Sequence, residues 1–476
     1  MTARRLLPAL LAAVPLAALM ALIVSRGAPD GAEDGFELLA AAIIAVCVGA
    51  AALVAPPSWA VSGALVLTLF QSHWDALGVS FSVDRYVMLL VIGSVLVREW
   101  RHRDGRLATR PVDWLLAVTL IYAATSAWVV GELSTEDGRF ELLDRFGVMP
   151  FVLFFLAPLV FRTERDRRVL LGTLVAIGTY LGITAILETT GPKGVIVPSY
   201  ITDPAQGIHQ DRARGPFLDA GANGLALYMC AVASTIAFTK WRNPRWRIFA
   251  LLVAGLCLVG VLLTLTRAVW LGALVATPVA LLSARGARRF LVPGMLAGLV
   301  LIVAAFAMIP GLQDRAERRR GDKQPVWDRQ NSNSAAIRML EDRPLFGFGW
   351  SRFKEESPPY YRQSNDFPLG ETGNLHNVYL SNAVDLGLVG LALWIAALLA
   401  ALGGAIVRRG PPELVAWKVG LLAVTLSVLI TWATAPALFV LPTLLLWLWA
   451  GIAWGPRTPS EGAVDDRHAA RELKHA

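Results

Sequence analysis

Apolar runs long enough to cross a bilayer recur from one end of this 476-residue sequence to the other. Inside a bilayer every backbone polar group must be satisfied within the protein, so runs of this kind read as transmembrane helices. About fourteen are counted, at 6–25, 38–55, 59–72, 84–97, 113–130, 147–161, 169–188, 222–239, 248–265, 268–283, 290–310, 378–406, 414–432 and 437–454. The third, fourth and sixth are short, so the expectation is an all-α, polytopic membrane protein with about 12–14 transmembrane helices. Composition agrees: at 55% hydrophobic and 17% charged residues, the chain is too apolar for an ordinary soluble protein. The net charge of +8 is no nucleic-acid signature, because the basic residues sit in short loops between apolar runs. Cys47, Cys230 and Cys257 all fall inside apolar runs, where they read as small buried hydrophobes. Residues 4–25 lack a good cleavage site after their apolar core and read as a retained first helix.

The loops carry an orientation. Arg98, Arg101, Arg103, Arg106 and Arg110 follow the fourth run, and Arg162, Arg165, Arg167 and Arg168 the sixth. Lys240, Arg242, Arg245 and Arg247 follow the eighth, Arg285, Arg288 and Arg289 the tenth, and Arg408, Arg409 and Lys418 flank the gap after the twelfth. All lie in even-numbered gaps, so all can be cytoplasmic together with both termini inside. The first short odd gap leans acidic, with Asp30, Glu33, Asp34 and Glu37. The same parity puts 189–221 and 311–375 on the extracytoplasmic side of a cytoplasmic (inner) membrane. Four regions follow: 1–310 with the first eleven helices, 311–376 as a large extracytoplasmic loop, 377–456 with the last three helices, and 457–476 as a cytoplasmic tail. The long loop carries eleven Lys/Arg and ten Asp/Glu with many aromatics. It is expected to fold as short helices capping the bundle, 330–342 being the clearest.

Four places on that outer side hold side chains suited to chemistry. His376 stands where the long loop meets an apolar run; Thr372 or Asn374 can cap the coming helix, placing His376 in its first turn. The positive helix end there disfavours imidazolium and favours a bound anion, so a neutral His able to accept a proton is expected. An interfacial His bonded to a loop carbonyl explains the same position. Gly387 and Gly390 offer a smooth patch for close helix packing. Arg267 lies in a short turn between two apolar runs, where charge faces a cavity or snorkels to headgroups. Arg212 and Arg214 precede a Gly-Pro re-entry and Asn223. Arg329 and Arg338 precede Pro344-Leu345-Phe346-Gly347-Phe348-Gly349-Trp350, whose Gly-x-Gly lacks nucleotide-binding context and reads as a turn for close backbone approach. Guanidinium groups pair bidentately with phosphate, and no outer Asp/Glu cluster or DxD pair offers a divalent-metal site; Asp366 and Glu371 are isolated.

These residues resemble a known family. His376-Asn377, then Gly387-x-x-Gly390, is similar to the His-Asn-x9-Gly-x-x-Gly signature of the bacterial O-antigen ligase and polysaccharide polymerase superfamily. Thr266-Arg267-Ala268-Val269-Trp270-Leu271 resembles its Ser-Arg-Gly-Ala-Trp-Leu element. Arg329 with Pro344–Gly349 resembles its Arg…Pro-Leu-Phe-Gly-Val-Gly element, and Arg214-Gly215-Pro216-Phe217 through Asn223 its Arg-x-Gly-x-Phe…Asn element. The departures are Thr266 for Ser and Asn333 near a place usually held by an aromatic. The resemblance implies a metal-independent, inverting membrane glycosyltransferase without a cofactor. It implies an undecaprenyl-diphosphate-linked glycan as donor and a glycan, lipid or protein hydroxyl as acceptor, reached among membrane lipids. By motif match Arg267 and Arg329 hold the diphosphate with Arg214, and His376 is catalytic; Arg338 and Asn377 are further candidates.

Two other readings compete. A polymerase joining lipid-linked repeat units shares these motifs. A transporter or lipid flippase predicts pseudo-symmetric halves and helices broken at the midplane; no internal repeat is visible, and the candidate residues sit at one surface.

Overall fold

The computed structural model describes residues 55–77, 79, 82–102, 109–207, 211–309, 311–321, 323–362, 375–436 and 439–455. The expected span 6–25, all but the last residue of 38–55, and the tail 457–476 lie outside the described residues, as do Thr372 and Asn374. Among the described residues there are helices and turns but no strand. The helices are α1 (Pro57–Leu67), α2 (Val83–His102), α3 (Pro111–Val129), α4 (Val148–Val160), α5 (Glu164–Thr190), α6 (Ala220–Lys240) and α7 (Pro244–Leu263). After them come α8 (Arg267–Ser283), α9 (Leu291–Met308), α10 (Leu312–Gly321), α11 (Gln324–Asp342), α12 (Val378–Leu398), α13 (Val415–Trp432) and α14 (Val440–Trp454). Among the described residues, eight helices have the length and apolarity of a membrane span, and three shorter apolar ones stand beside them. The chain is an all-α polytopic membrane protein.

Local sequence sets where these helices begin. Thr163 and Asp166 form a reciprocal capping box at α5, Asp219 caps α6, and Asn243 with Pro244 starts α7. Helix α6 is the hub, packed against α5, α7 and α13, while α8 packs on α13 and α14 on α4. Helix α14 has only fifteen residues, about 22 Å of rise, less than a bilayer core. Its sides are enclosed by protein, so the mismatch is not met by lipid: Trp447 and Trp449 are wholly buried, and Gly451 lets it touch the Phe154 backbone.

Residues from alternate gaps gather at one end. Arg98 donates to the Ala55 carbonyl (2.8 Å), Ser58 Oγ to Asp166 (2.9 Å), and Arg162 pairs with Glu99. Arg167 lies 3.7 Å from Glu413, Lys418 donates to the Arg408 carbonyl, and the Arg110 guanidinium lies 5.0 Å from the Trp454 ring. At the other end Arg352 pairs with Glu132 (3.0 Å), Arg315 donates to the Thr189 carbonyl (3.3 Å), and Glu188 accepts from the Arg214 amide (2.8 Å). Among the described residues, the basic gaps after the fourth, sixth and twelfth expected spans therefore share one end of the bundle.

Three expectations change. The sixth span starts at Glu136 rather than 147, through a π-helical stretch Glu141–Phe146 that carries charges into the bundle. There Asp144, fully buried, pairs with Arg85 at 2.6 Å, and the Arg85 guanidinium lies 3.6 Å over the Phe140 ring. Gly387 is not part of a smooth helical patch: it breaks α12, with φ 68° and ψ −179°. The cap of α12 is Asn377, whose Oδ1 accepts from Tyr379 N and Leu380 N, both at 3.1 Å. His376 therefore precedes the cap instead of lying in the first turn. Cys230 and Cys257 are buried and unbridged, as expected, while Cys47 lies outside the described residues.

Candidate functional site

The long loop folds down onto α12. Helix α11 is the predicted helical stretch, extended back to Gln324, and it packs against α12. Ala336, Met339, Phe348, Phe353, Leu375 and Val384 form one small core that joins α11, the turn after it and the start of α12. The turn is seated at the helix break. Phe348 N donates to Val384 O (2.8 Å) and Gly349 N to Asp385 O (2.9 Å). Leu388 N donates to Pro344 O (2.8 Å) and Val389 N to Leu345 O (3.3 Å). Tyr122 Oη donates to the Leu386 carbonyl at 2.8 Å, satisfying a group that the break leaves out of the helical ladder. A β-carbon on Gly387 would overlap the Leu345 carbonyl, and one on Gly347 the Val384 carbonyl. The Gly-x-Gly turn is thus the close-approach device that the sequence suggested, and its target is the Gly387-x-x-Gly390 segment.

His376, half-buried, sits between Leu375 in that core and the Asn377 cap. Asp219 is the N-cap of α6, and its Oδ1 accepts from Ala222 N at 2.7 Å. Burial pushes the Asp219 carboxyl above the usual carboxylate range. The Ala222 and Gly221 amides, the Arg212 charge and that of His376 each pull it back down. Asp219 is therefore within electrostatic reach of both Arg212 and His376. Sequence reading missed it, although Asp219 three residues before Ala222, at the start of an apolar run, is an N-cap signature.

The Arg212–Asn223 segment is locked to the turn that carries Arg267. Ala213 N donates to Leu263 O (3.1 Å), and the Asn223 amide donates to Ala213 O (3.0 Å). Arg267 is exposed in the first turn of α8, and no side-chain cap covers that helix start. Helices α6, α8 and α12 all begin at this end, so three positive helix ends accompany the arginines. Arg329 is half-buried on α11. Arg338, nine residues on, falls on the opposite face of the helix and donates through Nε to the Tyr360 carbonyl at 2.9 Å.

Two candidates have structural work. The Arg214 side chain is buried, with guanidinium bonds to the carbonyls of Gln206 (2.6 Å), Ile201 (2.8 Å) and Asp203 (3.4 Å). Its backbone N–H and that of Gly215 each donate to Glu188 at 2.8 Å. Asn377 spends its side-chain oxygen on the α12 cap.

Residues 252–395 match the family model described as O-antigen ligase. That stretch is similar to the O-antigen ligase family. The matched stretch contains Arg267, Arg329, Arg338, His376 and both glycines of the α12 break; Arg214 and Asp219 precede it. The match covers under a third of the chain and supports a likeness to the O-antigen ligase family. No curated protein matches the chain.

Proposed function

We propose that this protein transfers a glycan from an undecaprenyl-diphosphate donor to an acceptor hydroxyl at the extracytoplasmic face of the inner membrane. The observation that carries the reading is the electrostatic influence of Arg212 and His376 on Asp219, at the end where Arg267 opens a helix without a side-chain cap. Arg267 and Arg329 bind the diphosphate, with the amide end of α8 adding positive potential. Arg214 supports them at one remove by holding the loop that presents Arg212. The acceptor oxygen attacks the anomeric carbon from the face opposite the diphosphate. The carbon–oxygen bond to the diphosphate breaks, its electron pair leaves with the phosphate, and configuration inverts. His376 takes or orients the acceptor proton, and Asp219 holds the imidazole and favours its charged form. The arginines offset the charge that develops on the departing group.

The test uses purified protein, a defined undecaprenyl-diphosphate glycan and a candidate acceptor, with products sized. His376→Ala is expected to abolish product while donor binding persists; full turnover by that variant refutes the assignment. Joining of donor units without added acceptor identifies the polymerase form of the reaction.

A further inference from the structure

At the basic end, far from His376, a groove runs up the outside of the bundle between α5 and α7. Its floor is one face of α5: Gly172, Ala176, Thr179 and Tyr180. Arg168 continues that face by one turn, so floor and mouth together span about 18 Å of helix. Trp241, Trp246 and Phe249 form its wall, edge to face in sequence with ring centroids 6.3 and 5.9 Å apart. Trp241 and Trp246 also line the polar mouth with Arg168, Arg242 and Asn243.

The mouth is rich in basic groups. Arg168 donates its terminal nitrogen to Glu164 (2.7 Å), but its Nε is buried with no hydrogen-bond partner. Arg242 is exposed and has no ion-pair partner among the described residues. Asn243 uses its Oδ1 to cap α7 (2.9 Å to Arg245 N), which leaves its amide hydrogens directed elsewhere. Glu164, the ion-pair partner of Arg168, is itself acted on by Lys240 and Arg167. The positive start of α7 lies at the same place.

We propose that the groove binds one anionic phospholipid. An acyl chain lies along α5 against Trp246 and Phe249, and the phosphate sits between Arg168 and Arg242. A soluble anion satisfies the mouth and leaves the apolar floor uncovered. A zwitterionic lipid covers the floor but brings its own cation to a mouth already basic. Only an amphiphile with net negative charge meets both halves. The site is independent of the glycan-transfer reading, since none of its residues belongs to that machinery.

Native mass spectrometry of the full chain in detergent tests this, with phosphatidylglycerol, phosphatidylcholine of matched chains, and inorganic phosphate as probes. The expected result is one phosphatidylglycerol retained about tenfold more tightly than phosphatidylcholine. Arg168→Gln with Arg242→Gln is expected to bring the two lipids level. Gly172→Leu, whose added side chain enters open space in the groove, is expected to weaken both. The proposal is overturned by equal affinity for the two lipids in the wild type or by a preference that survives in the double variant. Unchanged retention in Gly172→Leu, or inorganic phosphate displacing the lipid, overturns it equally.

Discussion

Gly387→Ala is the sharpest test of how this domain holds its site. Gly387 adopts φ 68° and ψ −179°, a region that is essentially glycine-only, and forcing alanine into it costs about 1–3 kcal/mol. The new β-carbon also overlaps the Leu345 carbonyl, so the turn 344–350 must leave the break. Leaving gives up four backbone hydrogen bonds, those of Phe348, Gly349, Leu388 and Val389. At roughly 1 kcal/mol net each, the combined penalty is about 5 kcal/mol, more than a thousandfold in the equilibrium for local opening. Hydrogen exchange followed by mass spectrometry on peptides covering 345–350 and 386–389 reads that opening directly. Gly403→Ala is the control, since a β-carbon there meets nothing and helix propensity favours alanine. Exchange in 345–350 that matches wild type within a few-fold in Gly387→Ala refutes the interlock.

Arg267→Lys and Arg329→Lys should each lower kcat/KM by about 10- to 100-fold in the glycan-transfer assay, because a point charge replaces a bidentate fork; wild-type kinetics in both variants would remove them from the donor site. Burial raises the Asp219 pKa, so as pH falls this carboxylate takes up its proton earlier than an exposed aspartate and stops supporting His376. The wild-type rate should lose activity through that step, Asp219→Asn should be slower and lack it, and superimposable pH profiles would exclude the role. Tyr122→Phe leaves the Leu386 carbonyl without its hydroxyl donor and should destabilise the break by about 1–2 kcal/mol, seen as faster exchange at 386–389; unchanged exchange would show another group takes over.

Hydropathy and the grouping of basic gaps are read over many residues, and both are visible among the described helices because a bilayer constrains every span alike. The helix of the long loop was legible for a similar reason, its periodic face ending at Pro344. What escaped is local and cooperative. Glu141, Asp144 and Arg145 lower the hydropathy of 136–146 and so hide a helical stretch whose charge is met by Arg85, fifty-nine residues away in sequence. Asp219 looks like an ordinary cap, and only the fold puts it within electrostatic reach of His376. Arg214 and Arg338 look like Arg267 in sequence, and only the fold shows that their guanidinium groups are bonded to backbone carbonyls.

The same logic explains why the signature glycines lie so far from any chemistry. Asn377 fixes where α12 begins, so His376 is held as the last residue of the loop rather than the first of the helix. Ten residues beyond the cap, Gly387 interrupts that helix, and the freed backbone groups take up the turn that follows α11. One rigid element thereby sets both the position of His376 and the seat of the helix carrying Arg329. A proton acceptor and a diphosphate ligand drawn from segments forty-seven residues apart must keep a fixed separation if one displacement is to use both. A backbone junction does this better than side-chain packing, because four directed hydrogen bonds across two glycines permit one register, whereas an apolar contact tolerates sliding. The two-glycine joint therefore positions the site, and substituting either glycine should act on turnover without touching substrate.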